Sequence, residues 1–257
     1  MQNLYPLFER NRILKKEMLW SMRDYSFGCL PLEYQEYADG ILRGCEVGVR
    51  GKALVIGPGM VKYQGFVSLL LDEMTVPCQA SGQIEMLKLR MSRSESPDAV
   101  IHQVDAVLDS DLACTENELE LCRFCLREGA SLRTVYTDFD DMKTSYDTVN
   151  LIAAAWAGIG GPALSPAVTR YYAESVLRED GSELQDITFA WLCLNSHTAV
   201  AGNVVNDYLR RACPQLHLHS GENMELYNAL VLRLEEIRKG GQKKGKPDER
   251  KRKIVLE

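Results

Sequence analysis

Residues 8–24 place Phe8, Ile13, Leu14, Met18, Leu19 and Met22 at helical spacing with Arg and Lys between them, which predicts a helix at the start of the chain. Ser26, Gly28 and Pro31 are expected to break it, and a short amphipathic piece follows over 32–37. From Gly44 the period shortens to two. Val47 and Val49 alternate with Glu46 and Gly48, Gly51-Lys52 fits a hairpin turn, and 53–56 reads as a strand. Further strands are expected over 60–63, 66–71, 74–78, 83–91 and 99–108, with breaks at Gln64-Gly65, Ser81-Gly82 and 94–98. Between 39 and 65 seven glycines fall in 27 positions, yet apolar residues persist among them. These glycines read as corners where the chain reverses between strands. Short strands in such a series predict an antiparallel sandwich or barrel.

At Thr115 the pattern changes. Thr115-Glu116-Asn117-Glu118 has the form of a capping box and predicts a helix to about Glu128, closed by Gly129. Residues 131–136 read as strand or linker. Helices are then expected over 144–157, 166–178, 183–195, 198–212 and 222–239. Pro166 after Ser165 fits a first helical position, and Ser182 with Gln185 a second capping box. The polar, aperiodic stretch that follows is expected to be disordered.

Composition bounds the class. The chain has 257 residues, 46% hydrophobic and 26% charged, enough to bury a sizeable core. No apolar run reaches the roughly 18 residues of a membrane span, and the first residues lack the apolar core of a secretory signal, which favours the cytoplasm. Charge is uneven: residues 238–257 hold nine Lys or Arg against three Asp or Glu, so +6, while the whole chain is −6, leaving −12 on residues 1–237. An acidic body disfavours wrapping nucleic acid and leaves the basic tail as the segment that would touch it.

The candidate chemistry is thin. Gly57-Pro58-Gly59 and Gly158-Ile159-Gly160-Gly161 are the glycine-rich candidates for phosphate, but neither fits a Walker or dinucleotide loop, and both read as turns or linkers. Cys122 and Cys125 are the one close pair among eight cysteines; with no second pair they read as reduced, buried residues. His217 and His219 lack the further ligands a zinc site needs, with His102 and His197 isolated. Asp138, Asp140 and Asp141 do not space as a calcium loop and read as the opening of the next helix. There is no GxSxG elbow. Trp20, Trp156 and Trp191 fall on apolar faces of expected helices and read as core or interface anchors.

Several short motifs nonetheless recur in order. A leading helix is followed by Tyr37, Asp39, Gly40, Ile41 and Gly44, then by Gly59, Val61, Tyr63 and Gly65. Over about the first 95 residues this resembles a module of proteins in contractile phage tails and phage-tail-like injection particles of Firmicutes. The resemblance implies a baseplate or tail-accessory component that joins other subunits, and leaves homo-oligomerisation open. Asp39-Gly40 also has a local reading, as an Asp-Gly turn from helix into sheet.

The expected architecture is therefore α+β: residues 1–113 a leading helix with a β-rich, sandwich-like module, 114–239 an α-helical domain, 240–257 a disordered basic tail. The expected role is non-enzymatic and structural, with no cofactor or metal, in the cytoplasm or assembled into a particle. Asp39, Gly40, Gly44, Gly57, Gly59 and Gly65 form the expected turn motif. Lys243, Lys244, Lys246, Arg250, Lys251, Arg252, Lys253, Ile254, Val255 and Leu256 are the interaction candidates, the last three as an apolar stub able to add a strand to a partner's sheet edge. Two alternatives stand beside it: a nucleic-acid-associated protein acting through the tail, and a hydrolase with its site between the two regions.

Overall fold

A computed structural model describes residues 13–244 apart from 217 and 220, together with residues 6 and 10. The chain runs through α1 (Lys16–Glu33) into eight strands in series: β1 (Gly40–Gly44), β2 (Val47–Arg50), β3 (Ala53–Ile56), β4 (Gly59–Tyr63), β5 (Phe66–Leu70), β6 (Met74–Pro77), β7 (Ile84–Glu95) and β8 (Val100–Asp109). Three more strands follow, β9 (Glu118–Cys125), β10 (Trp156–Gly158) and β11 (Gly161–Ala163). Then come four helices, α2 (Pro166–Leu177), α3 (Leu184–Asn195), α4 (Gly202–Ala212) and α5 (Asn223–Lys244). The mixture is α+β, with a leading helix, a β-rich region and helices after it.

The strands form three sheets, ordered β11-β10-β1-β4-β5, β2-β3-β6 and β8-β7-β9. Every pairing is antiparallel except β1 with β10, which is parallel and sets Ile41 opposite Trp156. Ile41, Leu54, Ile56, Leu87, Leu89 and Phe124 meet in one core between the sheets. Leu54, Leu87 and Leu89 are wholly buried, each contributing roughly 2 kcal/mol.

The helices pack around a second core that includes Phe139, Tyr172, Phe189, Tyr208 and Tyr227. One polar network ties all four together. The Tyr172 hydroxyl of α2 lies 2.7 Å from that of Tyr208 on α4, and Tyr208 donates to Asp186 of α3 at 2.7 Å. Arg233 of α5 donates to both oxygens of Asp186, at 3.0 and 2.8 Å. Asp186 is fully buried, and its pairing offsets the cost of burying a carboxylate. Ser165 caps α2 by accepting from the Ala167 N–H, with Pro166 at the first helical position.

Several expectations are corrected. Residues 115–128 are not a helix. Half of the expected capping box forms, the Thr115 N–H donating to the Glu118 carboxylate at 3.1 Å, but the Glu118 N–H goes to the Thr115 carbonyl and the Thr115 hydroxyl to Asn117, closing a turn that leads into β9. Pairing with β7, and the ion pairs of Glu118 and Glu120 with arginines, hold the segment extended against its helical preference. Residues 144–157 are not helical either: Asn150 exchanges backbone bonds with Arg123, and Ala155 donates to Glu120 and accepts from Ile41. Past α1, helices thus begin at Pro166, apart from a short 3-10 turn over Asp140–Lys143, and strands persist to Ala163.

α1 starts later than expected and passes through Gly28 and Pro31. Pro31 forfeits one backbone donor, but the Tyr34 N–H still closes the end on the Leu30 carbonyl at 3.1 Å. The capping box of α3 is Glu183 with Asp186 rather than Ser182 with Gln185, and Gly202 rather than Thr198 opens α4. α5 continues through Lys244, so the first residues assigned to the tail, Lys243 and Lys244 among them, are helical.

Candidate functional site

α1 has no buried residue. It is held at its C-terminal end by Lys62 of β4, whose buried ammonium donates to the carbonyls of Tyr34, Gln35 and Tyr37 at 2.8, 3.3 and 2.6 Å. A cation there also complements the helix dipole. Leu30, with Tyr34 and Tyr37, packs on Leu42, Val67 and Ala157. The rest of the helix presents Leu19, Trp20, Met22, Tyr25, Phe27 and Leu32 exposed, Tyr25 at 73%.

Beside α1 lies a groove of about 720 Å³ between two sheet edges, β5 and β8. Phe66 of β5 stacks on His102 of β8 with ring centres 3.6 Å apart, while Leu69, Leu71, Val100 and Ile101 along it are exposed. A second cleft, of about 500 Å³, opens where β1 and β10 meet α2. Its floor includes Leu151 and Trp156, its rim Arg43, Arg170 and His197.

The turn residues fall in one neighbourhood around β1 and β4. Gly40 has φ +146° and Gly65 φ +77°. Gly44 and Gly59 lie opposite each other in the β1–β4 pair. A Cβ on Gly44 would come 2.2 Å from the Pro58 carbonyl oxygen, and one on Gly59 2.5 Å from the Cys45 nitrogen. No other residue fits there. Gly57, between them in sequence, has room for a side chain. The backbone bends at Asp39 before Gly40, but the Asp39 carboxylate does not bond the N–H two residues on, which goes to Ala155; it accepts the Gln64 N–H at 2.9 Å.

The other candidates are dispersed. Asp141 pairs with Arg133, which with the Thr137 N–H holds its carboxyl far below the usual range. Asp140 pairs with Lys143, and Asp138 accepts the Asp141 N–H. Cys122 and Cys125 are buried on β9, and burial pushes the Cys122 thiol far up. Burial likewise raises Cys45 and Cys193 to about 12, so these thiols stay protonated and unreactive. His219 lies in a loop, its N–H on Glu225; His217 lies outside the described residues, as do Lys246, Arg250, Lys251, Arg252, Lys253, Ile254, Val255 and Leu256. Trp20 and Trp191 are exposed on α1 and α3, whereas Trp156 sits on β10 rather than a helix. Among the described residues, no three His, Cys, Asp or Glu side chains gather as a metal site, and no helix is long and apolar enough to cross a membrane. Sequence reading missed Lys62, Arg43 and Arg170, because a lone cation gains meaning only from the carbonyls or cleft it faces.

No family model matches the sequence, and no curated protein matches it. Solved structures similar to the chain include a crystal structure of TssK, at TM-score 0.39 and 12% identity over 100% of this chain and 71% of that one. A chain of the type VI secretion system TssK-TssF-TssG baseplate subcomplex aligns at TM-score 0.40 and 10% identity, over 93% of this chain and 100% of that one. A chain of the baseplate complex from the type VI secretion system aligns at TM-score 0.31 and 9% identity, over 91% and 100% respectively.

Proposed function

We propose that the chain is a non-enzymatic structural subunit of a contractile, phage-tail-like particle, joined to other subunits at or near its baseplate. The observation that carries this reading is α1: an 18-residue helix with no buried residue and apolar side chains on several sides. Exposed apolar patches of this kind mark interaction surfaces. The motif from Tyr37 to Gly65 adds support, since Gly44 and Gly59 set the backbone contact on which the β1–β4 frame and the seat of α1 depend. A hydrolase reading is disfavoured by the carboxylates: Glu118, Glu120, Asp141 and Asp186 are each engaged by arginine.

The test is to isolate intact contractile particles from the native host and look for the chain by mass spectrometry. Wild type should co-purify in fixed ratio to the sheath, and a Leu19→Ser, Trp20→Ser, Phe27→Ser variant should fold normally yet be lost from the particle. Particles that never contain the chain would sink the reading. Truncation after Lys244 separates the nucleic-acid alternative, which predicts tail-dependent DNA binding that persists near 150 mM salt, about where weak phosphate contacts are screened.

A further inference from the structure

The cleft between the sheets and α2 differs from the rest of the surface in how its cations are used. Most arginines among the described residues, eleven of fifteen, hold a carboxylate, from Arg23 with Asp24 to Arg238 with Glu179. Arg10, Arg43, Arg170 and Arg210 do not, and two of these four stand on the rim of this one cleft. Arg43 makes no side-chain hydrogen bond, and Arg170 donates only to the Ser196 carbonyl at 3.0 Å. Both are exposed, on a body that carries −12 outside its last twenty residues. One carboxylate, the exposed Glu46, also lines the cleft, so the two guanidinium groups outnumber it and leave a net positive rim with forks suited to a carboxylate. The first N–H groups of α2 are already bonded to Ser165, so the helix end walls the cleft without offering donors.

Below the rim the cleft is apolar. Leu151, Trp156 and Val47 are half-buried along it, with Ile41 and Leu121 beneath. A small hydrophilic anion would leave these side chains wet. A ligand that sets an apolar side chain on Trp156 and a carboxylate between Arg43 and Arg170 satisfies both layers. The chain's own last twenty residues carry a net +6, which the same arginines disfavour overall.

We propose that this cleft docks a segment of a partner protein in which an Asp or Glu neighbours a large apolar residue. The inference deepens the reading of the chain as a docking subunit by assigning the chemistry of one contact. Charge steers the encounter, and the apolar floor supplies the anchor.

The experiment uses the full-length protein and a random dodecapeptide phage library, panned with counter-selection on Arg43→Gln, Arg170→Gln. Selected peptides should combine Asp or Glu with Leu, Ile, Phe or Trp at fixed separation. As synthetic peptides they should bind the double variant about tenfold or more weaker, while Arg170→Lys retains part of the affinity and the melting temperatures of all variants agree. Peptides without the acidic-apolar signature, or ones that bind the double variant equally, overturn the proposal. Displacement by inorganic phosphate or a dT oligonucleotide at the concentration of free peptide that competes also overturns it, in favour of a phosphate site. The assay needs no particle, so a chain absent from particles that still selects acidic-apolar peptides fails the functional reading alone.

Discussion

Asp39 reaches 25 residues along the chain to Gln64, whose backbone N–H it binds at 2.9 Å. Gln64 has φ +47°, in the left-handed region that costs a non-glycine residue about 1–2 kcal/mol. The carboxylate thus holds a strained turn between β4 and β5 against the end of the segment leaving α1. Asp39→Ala should lower stability by about 1–2 kcal/mol, read as a shift of the urea midpoint. Gln64→Gly should recover part of that loss in the same background, by removing the strain. A double variant no more stable than Asp39→Ala would show that the turn carries no strain.

Gly57 and Gly59, two residues apart, should respond very unequally to the same substitution. A Cβ on Gly59 would meet the Cys45 nitrogen and sulfur at 2.5 Å and the Arg43 oxygen at 2.6 Å, whereas on Gly57 it comes no nearer than 3.8 Å to Glu46. Gly59→Ala is expected to cost about 3 kcal/mol or more by forcing β1 from β4, and Gly57→Ala to lie within about 0.5 kcal/mol of wild type. Thermal melts of the two variants side by side decide it; equal melting temperatures would contradict the packing described.

Lys62 bonds three carbonyls at the end of α1. Lys62→Met keeps the stem and removes the donors, leaving those oxygens to find water. The expected loss is about 2–3 kcal/mol, with faster amide exchange and proteolytic nicking confined to 16–37. Exchange that rises equally in α5 would mean a global effect and not a local anchor.

Stability toward acid should depend on Glu118. The Thr115 N–H, then Arg90, holds its carboxyl down at about 2, against an ordinary 4.5. A carboxyl depressed in the folded state stabilises the fold fully above its unfolded value and loses that contribution as pH falls through the folded one. Wild type should therefore lose stability between about pH 4.5 and 2, and Glu118→Gln should show a shallower decline in the same window alongside a lower plateau at pH 7. Parallel curves for the two proteins would remove Glu118 from the acid response.

Local order explains what could be read from residues alone. The hairpins of β2 with β3, β4 with β5 and β7 with β8 pair neighbours in sequence, so alternation and a turn residue such as Gly51 or Gly65 specify them. The helices from Pro166 onward carry their own apolar stripes and caps. The α+β class and the order of these elements follow from such short-range signals. Tertiary structure decided the stretch from Glu118 to Ala163, where helix-forming residues are drawn into β9 and β10 by partners far away, β7 and β1. It also decided that α1 passes through Pro31, because Lys62 and a small apolar seat hold its end. The cleft belongs to the same class. Arg43 and Arg170 stand on separate elements, and only the parallel pairing of β1 with β10, which brings Ile41 beside Trp156, gives them a common floor. Helical periodicity and turn chemistry act within a few residues, whereas pairing between distant segments depends on which surfaces the folded core leaves to be filled.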